Sequence, residues 1–340
     1  MLYPSISFSD PNFKIKVVDE MVQNGLVVIN DIYSDPECTQ LVDEITDQFC
    51  NLFPGLNKQE WSEFNLPSQT RPGLFQQLVS NLQPVWNIRS NEKIASVFKH
   101  LYSTFRGREI NDFMCSGDGI NVRGNVGPLH TKSSRDWAHC DQTLPDDIYQ
   151  CIQGQVVLTN TTASFVASPK SHTIFHNILD QLGDSVDYAT QWLLFNSKQL
   201  PIAQQLVKEA GGQWQIPILA KKGSLILWLS TTIHSAKLQD RIEPIGTDDK
   251  YLGWRCVIYV CYRPHEEFTS ENLYTRQQAF EYNLSTNHWG VQIFPPAHYS
   301  LKKHGAKHPD IIKLMDNPKL VYEKIGRPVL TEAQSKLLGY

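Results

Sequence analysis

The chain has 340 residues, enough to bury a substantial core as one large domain or two of ordinary size. Its formal charge is −4, from 31 Lys and Arg against 35 Asp and Glu, which argues against the basic field a dedicated nucleic-acid binder needs. Seven cysteines, odd in number and without a C-x-x-C pair, argue against zinc knuckles and a disulfide scaffold and fit a reducing compartment. Met1-Leu2-Tyr3-Pro4 opens no basic-then-apolar leader, and the apolar run Leu225 to Leu229 is far too short to span a bilayer, so a cytoplasmic protein without membrane contact is expected.

In chain order, Val17 to Asn24 reads as a helix broken by Gly25, and Leu26-Val27-Val28-Ile29 as a buried strand. Ser34-Asp35-Pro36-Glu37 is a capping box with proline in the first turn, and Leu41, Ile45 and Phe49 follow at i+4 spacing, which predicts an amphipathic helix. Asn51 to Asn91 lacks periodicity and reads as a long connection with short helices. Lys93 to Tyr102 places Ile94, Val97, Phe98 and Leu101 on one helical face. Met114-Cys115 and Gly119 to Arg123 read as strand pieces leading to a Gly/Lys/Ser loop at Gly127 to Arg135.

The stretch Trp137-Ala138-His139-Cys140-Asp141 places an imidazole and a carboxylate two residues apart, so on an extended strand both share one face. Gln153 to Thr159 reads as a further strand, and Thr173 to Gly212 as a helical insertion closed by Gly211-Gly212. A Gly223 turn then opens an apolar strand that ends at His234. Two histidines and one carboxylate, with other coordination positions open, form the facial triad of non-haem Fe(II) oxygenases. Trp254 to Pro264 reads as a buried strand carrying Arg255 near its start, and a buried guanidinium needs an anionic partner such as a carboxylate. Arg241 and Arg263 are the competing arginines. The His172/His176 and His304/His308 pairs have zincin-like spacing but no accompanying general-base glutamate, and are read as non-ligands. Ser270 to Tyr282 reads as a helix, Asn287-His288-Trp289-Gly290 as a turn, and the tail from Pro309 as short helices, the last capped at Thr331.

In order and spacing these elements resemble the phytanoyl-CoA dioxygenase-like branch of the Fe(II)/2-oxoglutarate-dependent oxygenases, over most of the chain. That family shows W-x-H-x-D (here Trp137 to Asp141), a G-D-L-x-L-W strand leading to histidine (here Gly223 to His234), then an arginine on the next strand (here Arg255). Two departures stand out. Thr159 to His172 replaces the usual glycine-rich approach to a G-S-H turn, and Ser224 stands where the family has Asp.

The resemblance implies a mainly β fold with flanking helices around a double-stranded β-helix, the jelly-roll or cupin-like core. It implies one domain over residues 1–340, with an N-terminal helical buttress, the helical insertion at about 173–212 and a helical tail at about 309–340. It further implies that His139, Asp141 and His234 hold Fe(II), that Arg255, Gln153 and Asn121 contact 2-oxoglutarate, and that Trp137 and Trp228 line a substrate pocket. With O2 as second cosubstrate, the expected reaction is hydroxylation of a small organic or acyl molecule with release of succinate and CO2. Desaturation or epimerisation stays open, as do two other classes: a non-catalytic β-helix binding module, and a cupin-like metalloenzyme that does not use 2-oxoglutarate.

Overall fold

The computed structural model describes residues 2–59, 61, 66, 73–124, 137–144, 146–160, 164–237, 250–294 and 308–340. The Gly127 to Arg135 loop, Arg241 and His304 lie outside the described residues. The chain begins with β1 (Ile6–Ser7), α1 (Phe13–Asn24), β2 (Leu26–Asn30) and α2 (Asp35–Leu52). Gly25 ends α1 in the left-handed conformation at φ 69°, and Glu37 accepts from the Ser34 amide at 2.7 Å, so both punctuation marks act as their residue types predict. Next come β3 (Leu74–Phe75), α3 (Gln83–Arg89), α4 (Glu92–Arg106), β4 (Phe113–Cys115), β5 (Ile120–Arg123), β6 (His139–Cys140), β7 (Ile152–Val157) and β8 (Ser164–Ala167). The 173–212 region holds α5 (Phe175–Leu182), β9 (Leu193–Leu194) and α6 (Gln199–Glu209). It is followed by β10 (Ile216–Pro217), β11 (Ser224–Leu229), β12 (His234–Lys237) and β13 (Arg255–Pro264). The chain closes with α7 (Ser270–Glu281), α8 (Pro309–Asp316), α9 (Leu320–Ile325) and α10 (Glu332–Leu338).

The strands form two sheets. The larger runs β1-β2-β11-β7-β13-β5-β3 with β4 also on β13, and the smaller runs β10-β8-β12-β6-β9. The period-2 alternation of a strand assigns the two faces of the large sheet different tasks. One face (Val27, Val156, Leu227, Cys256, Ile258 and their neighbours) packs in one apolar cluster with Val42, Ile45 and Phe49 of α2 and Val97 and Phe98 of α4. The other face carries Leu26, Val28, Val157, Ile226, Trp228 and Val257, which pack with Phe165 and Ala167 of the small sheet. The apolar layer between the sheets is therefore anchored on β2, β11 and β8. Toward β5 the same face turns polar: Gln153, Gln155, Tyr259, Arg255, Asn121 and Arg123 follow one another in register.

Two facing sheets are consistent with a cupin-like core, but "mainly β" is corrected, because helices contribute more residues than strands. The large sheet needs that helical cover, since its outer face is an uninterrupted apolar surface. A second correction concerns the insertion, which is not wholly helical. Leu193–Leu194 pairs antiparallel with His139–Cys140, so the block around Trp192 extends the small sheet at its edge. No described helix is long and apolar enough to cross a membrane.

Candidate metal centre

The small sheet brings the two histidines together directly. His139 of β6 and His234 of β12 are cross-strand partners, and their rings stand 4.3 Å apart. Asp141 follows two residues after His139, where the Asp141 amide donates to the Ser230 carbonyl at 2.9 Å and ties the turn to the end of β11. All three side chains are buried, and their ligand atoms lie within 4.8 Å of one another. The expected strand running from Gly223 to His234 is corrected: β11 ends at Leu229 in the large sheet, and His234 opens β12 of the small sheet after a turn.

The ring orientations follow from hydrogen bonding. His139 Nδ1 lies 2.9 Å from the Trp137 carbonyl and His234 Nδ1 lies 2.9 Å from the Thr232 carbonyl. A carbonyl can only accept, so each Nδ1 carries a proton and each ring turns its Nε2 inward. Those nitrogens face a carboxylate: His139 Nε2 is 3.8 Å from Asp141 Oδ1, and His234 Nε2 is 3.3 Å from Asp141 Oδ2. Burial and the neighbouring His234 push the His139 pKa down to about 3, so this ring stays neutral at ordinary pH. Burial alone would raise the Asp141 carboxyl. The charged imidazole of His288 beside it outweighs that effect and holds it well below the usual carboxylate range. Two inward imidazole nitrogens and an ionised carboxylate converging in this way form a donor set that suits Fe(II).

Further polar groups surround Asp141. Gln153 donates from Nε2 to Asp141 Oδ2 at 2.9 Å, and Trp289 donates from Nε1 to the Asp141 carbonyl at 2.8 Å. His288 Nε2 lies 3.5 Å from Asp141 Oδ2, while its Nδ1 donates to Asp118. Burial opposes charge on His288, but the Asp118 and Asp141 carboxylates prevail and raise its pKa to about 10.

The remaining sequence candidates fall around this centre. Asn121 and Arg255 lie on the inner face of the large sheet, and Arg255 reaches Gln155 Oε1 at 3.5 Å. From sequence alone an outward-facing strand position was the favoured reading of Asn121; here it is buried, and among the described residues its Oδ1 meets no hydrogen-bond partner, nor does Oε1 of Gln153. Trp137 stacks on His139 at 4.5 Å and donates to the Ala236 carbonyl, and the Trp228 ring lies 5.4 Å from His234. The rival Arg263 is engaged elsewhere, in an ion pair with Glu267 at 2.7 Å and over the Trp289 ring. His172 is occupied by the Val22 carbonyl, and His308 caps α8, so neither joins the cluster.

Sequence reasoning missed Asp118, Gln155, Tyr259 and the placement of His288. Gln155 and Tyr259 were findable, since each continues the period-2 face of Gln153 and Arg255. Asp118 and His288 sit in loops, where spacing carries no signal.

No family model matches this sequence, and no curated protein matches it. Solved structures do resemble it. A provisionally assigned oxidoreductase of Salmonella typhimurium LT2 aligns over 99% of this chain and 86% of that one at 16% identity and TM-score 0.57. A DUF1479 protein from Candida albicans, GlcNAc Inducible Gene 2, aligns over 98% and 83% at 15% identity and TM-score 0.56. At such identities the likeness shows a shared fold. The epimerase SnoN, in complex with Fe3+, alpha ketoglutarate and nogalamycin RO, aligns over 75% of this chain and 85% of that chain at 12% identity. Its TM-score is 0.45, too low to speak to this chain's chemistry.

Proposed function

We propose that this chain is an Fe(II)/2-oxoglutarate-dependent oxygenase of the kind its sequence resembles, acting on a small organic or acyl molecule. The observation that carries the reading is the convergence of two inward Nε2 atoms on an ionised, buried carboxylate, a two-histidine, one-carboxylate donor set that suits a divalent cation. His139, Asp141 and His234 would hold the iron and leave positions open. When bound, the iron with O2 and 2-oxoglutarate supplies the oxidising power.

The chain's own residues supply geometry and selectivity. Gln155, which meets Arg255, stands two residues along β7 from Gln153, which meets Asp141. On a strand that separation is roughly 6.6 Å. A five-carbon diacid can bridge it, with one end at the metal and its far carboxylate on the Arg255 guanidinium. Tyr259, across from Gln155, interacts with Arg255 and helps aim it. The unsatisfied amide oxygens of Asn121 and Gln153 offer acceptors to a bound molecule. Trp137 and Trp228, against the two histidines, exclude water from the metal's ligands and shape the substrate side.

An anaerobic Fe(II) titration and an assay of 2-oxoglutarate-dependent succinate release test this reading together. One iron per chain and succinate release support it. Iron without succinate release favours a metalloenzyme of another kind, and no iron at all leaves a binding module.

A further inference from the structure

The Asp118–His288 pair belongs to no part of the reading above, and the protein commits much of its interior to holding it in place. Asp118 lies in the 116–119 loop, and His288 in the 285–290 turn. The two segments are joined by Thr286, whose amide donates to the Gly117 carbonyl and whose hydroxyl accepts from the Gly117 amide, both at 2.9 Å. Three buried arginines clamp them. Arg89 donates to the Ser80 and Asp118 carbonyls, Arg276 to the Gly290 and Cys115 carbonyls, and Arg263 to the Trp289 carbonyl. Arginines this deeply buried, bonded to backbone oxygens, fix loops that would otherwise move. What they fix is one imidazole: Asp118 receives its Nδ1, and its Nε2 is presented to Asp141 Oδ2 at 3.5 Å.

We propose that His288, oriented by Asp118, is a positioning residue for Asp141, holding the carboxylate together with Gln153 so that it meets the metal in one fixed orientation. Gln153 approaches the same oxygen from β7 of the large sheet, so Oδ2 is held from two elements that do not share a backbone. A carboxylate ligand left to rotate spends part of its time away from the metal, and loss of such an outer partner typically weakens metal affinity about 10- to 100-fold. The inference rests on the metal reading, because it gives His288 no purpose unless Asp141 is a ligand.

Two amide substitutions separate the functions of the two ring nitrogens. In His288→Gln the terminal amide nitrogen reaches the place of Nε2, while in His288→Asn the shorter side chain reaches only the place of Nδ1 and keeps the Asp118 contact. The experiment titrates Fe(II) anaerobically into wild type and both variants, with thermal melting to confirm folding. The expected result is that Asn weakens iron about tenfold or more and Gln stays within about threefold of wild type. A general packing defect would not distinguish the two amides. Equal affinities in all three proteins, or equal losses in both variants, would overturn the proposal. Should the Asn variant not fold, Asp118→Ala decides, since it frees the ring without touching Asp141; undiminished iron affinity there overturns the proposal. Failure of wild type itself to bind iron would instead sink the reading on which it rests.

Discussion

At the residue scale, the metal centre is a problem of protons and lone pairs. Removing one of three ligands leaves a site that competes poorly with water, so His139→Ala and His234→Ala are each expected to abolish Fe(II) binding at stoichiometric concentrations, checked by metal analysis after anaerobic gel filtration. Full stoichiometry in either would remove that histidine from the site. The metal-free protein should also show a stability maximum set by its histidines. His139, lowered to about 3, stays neutral when folded, so as pH falls from about 6.5 only the unfolded chain takes up the proton and stability declines. His288, raised to about 10, stays charged when folded, so its contribution is full below about 6.5 and is lost as pH rises toward 10. Urea midpoints should fall on both sides, and His288→Gln should lessen the decline between about pH 6.5 and 8, below the range where the buried thiols begin to contribute. An unchanged alkaline side would show that His288 carries no such charge.

At the element scale, what was legible followed a period. The i, i+2 pair His139 and Asp141 was visible because strand geometry repeats every two residues, whereas the crossing from β11 to β12 before His234 was not, because an apolar run does not show where one strand stops and the next begins. The Ser34 capping box and the Gly25 stop were visible too, because capping chemistry is local. The β9 pairing was not legible: Leu193 and Leu194 sit among residues that suit a helix, and only the open edge of β6 makes them a strand. The 285–290 turn was seen as a turn, but its contacts with Asp118 and Asp141 lie across more than a hundred residues of chain and leave no local trace. Arg276 shows how much that turn depends on tertiary structure, since it also bonds the Leu337 and Leu338 carbonyls of α10 and so joins the last helix to the turn. Arg276→Met should strip these buried carbonyls of their donor and destabilise the protein by about 3 kcal/mol or more, at roughly 1–3 kcal/mol for each group left unsatisfied. Denaturant unfolding measures this, and a change below about 1 kcal/mol would show the clamp to be dispensable.

At the scale of the whole molecule, the two sheets divide the work. The small sheet carries the histidines, and the large sheet carries a polar inner face whose register runs from Gln153 beside the metal to Arg255. Helices α2 and α4 cover the large sheet's other face, leaving its inner one for the site. The sequence resemblance led to the expectation of a β core but gave neither this division nor the proportion of helix, because strands buried on both faces and helix faces read alike as apolar runs until their partners are known.

The most direct test of the central claim is a titration of 2-oxoglutarate into the Fe(II)-loaded protein without oxygen, following the metal-to-ligand charge-transfer absorption, in wild type and Arg255→Leu. The account predicts a saturable band in wild type. In the variant it predicts at least roughly thirtyfold weaker 2-oxoglutarate binding with iron affinity unchanged, since truncating one partner of a buried charged contact costs on the order of 2 to 5 kcal/mol, at about 1.4 kcal/mol per decade. An iron-loaded wild type that develops no band, or an Arg255→Leu variant that binds 2-oxoglutarate as tightly as wild type, would contradict it.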